Sequence, residues 1–209
     1  MAVDRKKVID EMSKITVEAN ADGIIPAFNV FVNQLPAKFW NEFSKRMVEA
    51  VSDDIKEAVE ELLINAAHEC GYHTGYGIIT SKEWEAVVGP MVGSAEDTLH
   101  GAFAVFTAWG WADSEIVDLV PGEKMVVRAY DYYEADLADD YPGKKTPRPM
   151  AYMIRGVCGA FMDLAYGGTY DPKGKTGLYT FRCKQTACIG QGDKYGEFVT
   201  MKSSEYEKM

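Results

Sequence analysis

Residues 149–166 read Pro-Met-Ala-Tyr-Met-Ile-Arg-Gly-Val-Cys-Gly-Ala-Phe-Met-Asp-Leu-Ala-Tyr, and what flanks this stretch decides the fold. It is apolar enough for a buried helix and carries glycines at 156 and 159. Glycine inside a helix costs about 1 kcal/mol against alanine, so such positions usually serve close packing. Upstream, Ile116, Val117, Leu119 and Val120, then Met125, Val126, Val127, Ala129 and Tyr130, read as two strands about a Pro121-Gly122 turn. Downstream, 178–187 and 195–201 read as two more strands, joined by the turn 190–193. Residues 136–148 are polar, acidic and Pro-rich, hence a loop. Helices first, then a hairpin, a helix and a second hairpin, is the order of an α+β fold: an antiparallel sheet packed against helices.

The N-terminal half reads as a helical extension of that core. Val8, Ile9, Met12 and Ile15 are spaced for a short amphipathic helix over 4–18. A loop with Gly23 and Pro26 follows, then a helix near Phe28–Leu35 that Pro36 ends. Trp40, Phe43, Met47, Val51, Ile55, Val59, Leu62 and Ala66 mark one long helix stopping at Gly71, with a glycine-rich connection over 72–80. Ser81 reads as the N-cap of a short helix holding Trp84, which stops at Gly89-Pro90. Leu99, Phe103 and Phe106 mark a further helix over 95–109. No repeat or linker divides the chain. The expectation is one domain over 1–209, with a helical part over 1–94 and a core over 95–201.

Composition bounds the function. A formal charge of −10 with scattered Lys and Arg argues against nucleic acid, which needs a basic stripe. No apolar run nears the ~18 residues of a membrane span. The first ten residues lack a signal peptide's apolar core, so a cytoplasmic protein is expected. Four cysteines, Cys70, Cys158, Cys183 and Cys188, then read as core thiols, metal ligands or reactive groups rather than a disulfide scaffold.

The order of motifs in the C-terminal half is specific. Trp109-Gly110-Trp111 precedes a strand, a turn and Lys124-Met-Val-Val-Arg-Ala-Tyr130. Tyr152-x-x-Arg-Gly-Val-Cys-Gly-Ala-Phe-Met follows, and the end is Cys188-Ile-Gly-Gln-Gly-Asp-Lys-Tyr-Gly-Glu-Phe-Val. That order, over roughly 95–201, resembles the 4-vinyl reductase domain family. The resemblance implies a domain that holds small, often aromatic or hydrocarbon-like molecules. It extends to the sensor domains of phenol- and xylene-responsive activators, where cysteines bind zinc. Cys188 matches the first hairpin cysteine of that pattern, but Gly196 stands at the second. A zinc ion here would draw on Cys158, Cys183 and Cys188; Cys183 and Cys188, five apart, point to opposite faces of a regular strand.

Two further constellations compete for function. His68, His73 and His100 are the only histidines, and Asp97-x-x-His100 puts two ligand types on one helical face. His73 and His100 are therefore candidate acid/base or metal-binding groups. Trp84, Phe103, Trp109, Trp111 and Tyr130 are candidate pocket walls that also suit ordinary core packing, with Arg128, Glu134 and Arg155 as polar anchors. The two-residue period of a strand puts Arg128, Tyr130, Tyr132 and Glu134 on one face.

Three functions follow. The first is binding of a small aromatic or largely apolar ligand. The second is a hydrolase acting on a small carboxylate-bearing substrate. The final hairpin resembles the aminothiazoline-carboxylate hydrolase family, with His73 or His100 as base and Arg128 or Arg155 holding the carboxylate. The third is an interaction module: at fold level the domain resembles vesicle-tethering subunits and haem-based nitric-oxide sensors. The amphipathic stretch 38–70 is then a homodimer surface.

Overall fold

Four antiparallel strands organise the chain, which a computed structural model describes over residues 3–206. Strands β3 (Ala112–Val120), β4 (Lys124–Tyr132), β5 (Phe181–Ala187) and β6 (Gly196–Lys202) lie in the order β3-β4-β6-β5. One face is dry: Met125, Val127 and Ala129 of β4 and Phe198 and Thr200 of β6 are fully buried. The opposite face is wet, as antiparallel sheets permit. There Arg128 pairs with Glu197 at 2.9 Å and Tyr130 donates to Glu115 at 2.7 Å.

Helix α6 (Tyr152–Tyr166) lies on the dry face, and helix α3 (Lys56–Ile79) packs on α6 in turn. Glycines set how near these helices come. A Cβ at Gly156 would lie 2.5 Å from the Ala67 Cβ and 2.6 Å from the His68 backbone N. One at Gly71 would lie 3.1 Å from the Ala160 Cβ, and one at Gly75 2.7 Å from Leu164 Cδ1. Backbone meets backbone at Gly156 and Gly71, and side chains of α6 fill the space at Gly75, so each glycine's helix cost is offset by close contact.

The other helices close the layer: α1 (Arg5–Met12), α2 (Ala37–Glu49), α4 (Lys82–Val87), α5 (Ala95–Ala108) and the terminal turn α7 (Ser203–Tyr206). Ser81 and Ser94 cap α4 and α5, accepting from Trp84 N and Asp97 N at 3.1 Å each. Arg5 of α1 reaches Asp113 at 2.9 Å and the Ser114 carbonyl at 3.0 Å, which ties α1 to β3. No helix among the described residues is long and apolar enough to cross a membrane.

Four expectations are corrected. The helix expected to stop at Gly71 runs on to Ile79, because Gly71 and Gly75 serve contact with α6 rather than termination. The single helix expected from Trp40 to Ala66 is two: Ser52 through Asp54 break it with a 3-10 turn at Asp53–Ile55. The segment near Phe28–Leu35 is a hairpin of β1 (Ile25–Ala27) and β2 (Val30–Val32) rather than a helix. Phe28 and Asn29 turn it at φ 51° and 59°, and burial of the Phe28 ring against Trp109 at 4.2 Å offsets that strain. Finally, the acidic stretch after β4 begins as a 3-10 helix, Tyr133–Asp140.

Candidate functional site

Aromatic side chains of α5 and α6 meet beneath α3. Phe103 packs edge-on to Phe161 at 5.2 Å, and Phe106 to Trp111 at 5.0 Å. Trp84 covers Gly101, where a Cβ would lie 2.8 Å from the indole. Beside this cluster an apolar crevice runs between Gly75 and Ile78 of α3, Leu99 and Ala102 of α5, and Phe161 and Leu164 of α6. It is narrow and partly open to solvent, with a volume of about 10 Å³, room for about one water. Its only side-chain polar group is Thr98. That hydroxyl donates to the Ser94 carbonyl at 3.2 Å, which leaves its lone pairs to accept from a ligand O–H. No acidic or basic side chain is among the residues that line it. A larger hollow of about 460 Å³ lies outside, between the β1–β2 hairpin and Lys82-Glu83. It is an open, mixed-polarity surface and lacks the enclosure that ligand pockets use.

The candidate residues do not all converge. Phe103 belongs to the ring cluster beside the crevice, Trp84 and Trp111 pack around it, and Trp109 faces Phe28. Arg128 and Tyr130 are on the wet face, while Tyr132 and Glu134 are buried. The common face expected for these four does not form, because the β3–β4 register shifts between Asp113 and Ser114 and the chain turns helical at Tyr133. Arg155 donates to the Cys183 carbonyl at 3.3 Å and to Tyr206 at 3.2 Å, so its head is engaged within the fold.

Glu134 is a cap rather than a pocket anchor. Its carboxylate accepts from Met153 N at 2.9 Å and Ile154 N at 3.3 Å, the first turn of α6. Burial pushes its pKa up to about 7 despite these donors and the nearby Arg155 charge.

The three cysteines expected for zinc are not brought together as a set. Cys158 of α6 and Cys183 of β5 are buried in one core cluster on the inner face of the sheet. Cys188 instead sits 3.7 Å from the Tyr132 hydroxyl. That hydroxyl also accepts from Gln185 Nε2 and Ile189 N at 3.2 Å each, and Gln185 in turn accepts from Ala151 N. At Gly196 a Cβ would lie 2.8 Å from the Tyr132 ring. The tyrosine thus occupies the room that a second hairpin cysteine would need. Among the described residues no three His, Cys, Asp or Glu side chains form a metal-holding group. As folded, this corner does not fit a zinc ion.

The histidines separate as well. His73 hydrogen-bonds to the Tyr170 hydroxyl at 2.8 Å, while His100 is exposed on α5. Asp97 is committed to its own loop, accepting from Gly93 N at 2.9 Å. His68, which carried no role in the sequence reading, has the most constrained surroundings. Its Nε2 lies 2.7 Å from Asp163 Oδ2, and both side chains are buried. Asp163 also accepts from Tyr179 N at 2.6 Å and Phe181 N at 2.9 Å. The only sequence signal for this is an acidic residue inside a largely apolar helix.

No family model matches this chain, and no curated protein does. Solved structures do. The phenol-responsive sensory domain of the transcription activator PoxR, determined with phenol, is similar over 100% of this chain and 94% of its own, at 13% identity and a TM-score of 0.73. A trafficking protein particle complex subunit 3 from Naegleria fowleri, covalently bound to palmitic acid, is similar over 80% of this chain and 92% of its own, at 14% identity and a TM-score of 0.52. A vinyl-4-reductase family protein from Methanocaldococcus jannaschii covers 82% of this chain and 83% of its own, at 13% identity and a TM-score of 0.44. At these identities the likeness is one of fold, the α+β architecture that the resemblance of the C-terminal half led one to expect.

Proposed function

We propose that this domain binds a small aromatic or largely apolar molecule in the crevice between α3, α5 and α6. The observation that carries the reading is the crevice itself: apolar walls, an adjoining ring cluster and one hydroxyl with free lone pairs. The full-length fold likeness to a phenol-responsive sensory domain supports it. A phenol-like ligand suits such a lining once the crevice, which as it stands holds about one water, widens to take the ring among Leu99, Phe161 and Leu164, with the O–H donating to Thr98. We place the protein in the cytoplasm, where four free thiols stay reduced. The hydrolase alternative has no observation in its favour, since His73 and His100 do not share a site.

Thermal unfolding with phenol and substituted phenols tests this. At a hundredfold excess over Kd the native state gains about 2.7 kcal/mol. Ala102→Leu, which fills the crevice, removes that gain while the variant still unfolds cooperatively. An equal gain in wild type and A102L would rule out the crevice, and no gain with any phenol would rule out this ligand class.

We further propose a homodimer through α2. Phe39 and Phe43, one turn apart and stacked at 6.4 Å, stay 48% and 45% exposed, and Leu62 of α3 is 57% exposed. Light scattering should return twice the 23.2 kDa chain mass, and Phe39→Glu/Phe43→Glu should return the monomer. A wild-type monomer at micromolar concentration would end the claim.

A further inference from the structure

Helix α1 stands behind one wall of the crevice. It packs on α5 and also on α4, with Val8 and Met12 fully buried in the main core cluster. The crevice side of α5 carries Thr98, Leu99 and Ala102. Arg5 of α1 attaches elsewhere on that helix: its Nη2 donates to Thr107 Oγ1 at 3.4 Å. At 3.6 residues per turn, Thr107 lies about 140° round the helix from Ala102 and about 180° from Thr98. Helix α5 therefore has the crevice on one side and α1 on the other. The same guanidinium closes the joint at which α5 passes into β3. Its Nη2 also donates to Asp113 at 2.9 Å and to the Ser114 carbonyl at 3.0 Å, while Ser114 N donates to Thr107 Oγ1 at 3.2 Å. One side chain of α1 thus gathers the last turn of α5 and the first residues of β3.

A ring entering a space of about 10 Å³ has to displace a wall. Helices α3 and α6 are closed on each other backbone to backbone at Gly71 and Gly156, so the wall that gives is α5. We propose that α1 is an autoinhibitory brace, which through Arg5 holds α5 against the crevice, so that α1 docking and ligand entry oppose each other. The proposal rests on the crevice being the binding site, and it names what regulates that site. The brace yields rather than locks, for two reasons. The Asp113 side chain is 57% exposed, so its ion pair with Arg5 is screened by water and salt. Arg5 Nε and Ser114 Oγ are buried without a hydrogen-bond partner, and opening the joint hands both to water. Linkage makes the opposition reciprocal: the factor by which α1 docking weakens the ligand is the factor by which the ligand weakens α1 docking.

Arg5→Met keeps the unbranched stem and the helix preference and removes the guanidinium. Two measurements are made on the full chain: phenol affinity by calorimetry, and amide hydrogen exchange mapped by mass spectrometry. Phenol should bind R5M about fivefold more tightly than wild type, the lower end of the usual coupling between sites. Without ligand, the amides of 98–108 should exchange faster in R5M while those of α6 keep their rate. Phenol added to wild type should speed exchange within α1. A general loss of stability gives the opposite pattern, since it weakens binding and speeds α6 as well. Equal or weaker phenol binding by R5M overturns the brace, and the crevice stands as the site provided that A102L abolishes binding. If wild type binds no phenol, the binding reading falls by itself and exchange alone judges the brace: faster α5 in R5M supports it, and unchanged α5 overturns it. Should R5M fail to fold, Asp113→Asn breaks the same clasp from the β3 side and is put through both measurements, with the same outcomes expected.

Discussion

Asp163→Ala should lower the unfolding free energy by about 3–5 kcal/mol, because three donors lose the one acceptor they share. The carboxylate is the meeting point of three donors from separate parts of the chain. These are His68 on α3, Tyr179 N in the crossing loop and Phe181 N at the start of β5. Alanine leaves all three, two of them fully buried, without this acceptor, and each buried donor left unpaired carries a desolvation penalty of ~1–3 kcal/mol. Tyr179 adds to the loss, because it holds a left-handed φ of 64° that its hydrogen bonds maintain. Asp163→Asn, which keeps the shape and one acceptor, should fall between wild type and alanine. Urea unfolding followed by tryptophan fluorescence measures this, with a shifted midpoint at unchanged slope. A loss in D163A below about 1 kcal/mol would show that the three donors find other partners, against the reading given above.

The second large effect is a dependence on pH. Glu134 has an ordinary pKa of 4.5 when unfolded and about 7 in the fold, raised by burial. Between these values the native protein holds a proton that the unfolded chain has released. Stability therefore falls as pH rises from 4.5 to about 7 and is level above it. The gap is worth ~3 kcal/mol, undiscounted because the carboxyl is fully enclosed. Gln in place of Glu134 keeps an acceptor for the first turn of α6 and carries no charge. Glu134→Gln should flatten the profile and match or exceed wild type at pH 8. Unfolding midpoints at pH 5 and pH 8 decide it: the same drop in both proteins would assign the titration to another group.

Much of this fold could be read locally. The Pro121-Gly122 turn marks the β3–β4 hairpin, Ser81 caps α4, and the apolar run after Pro149 is α6. What could not be read depends on partners far along the chain. Gly71 has the composition of a helix stop, and only α6, some 85 residues on, makes it a contact point. Phe28 takes a left-handed turn because Trp109 buries its ring. His68 and Asp163 lie 95 residues apart, so no spacing rule joins them. The aromatic residues expected around a pocket were legible as a class: Phe103 adjoins the crevice, with Trp84 and Trp111 in the same cluster. The crevice walls themselves, Gly75, Ile78, Ala102 and Leu164, are small or aliphatic side chains that carry no signal of function.

The glycine seam has a mechanical consequence. At Gly71 and Gly156 the α3 and α6 backbones approach closely, which leaves few intervening side chains free to change rotamer and let the two helices drift apart. They behave as one rigid plate with the sheet behind it. Helix α5 meets that plate through side chains, which do have alternative rotamers. Any widening of the crevice therefore falls to α5, a single hinged slat whose C-terminal end leads straight into β3. A ligand wedged behind it would be felt first at the edge of the sheet.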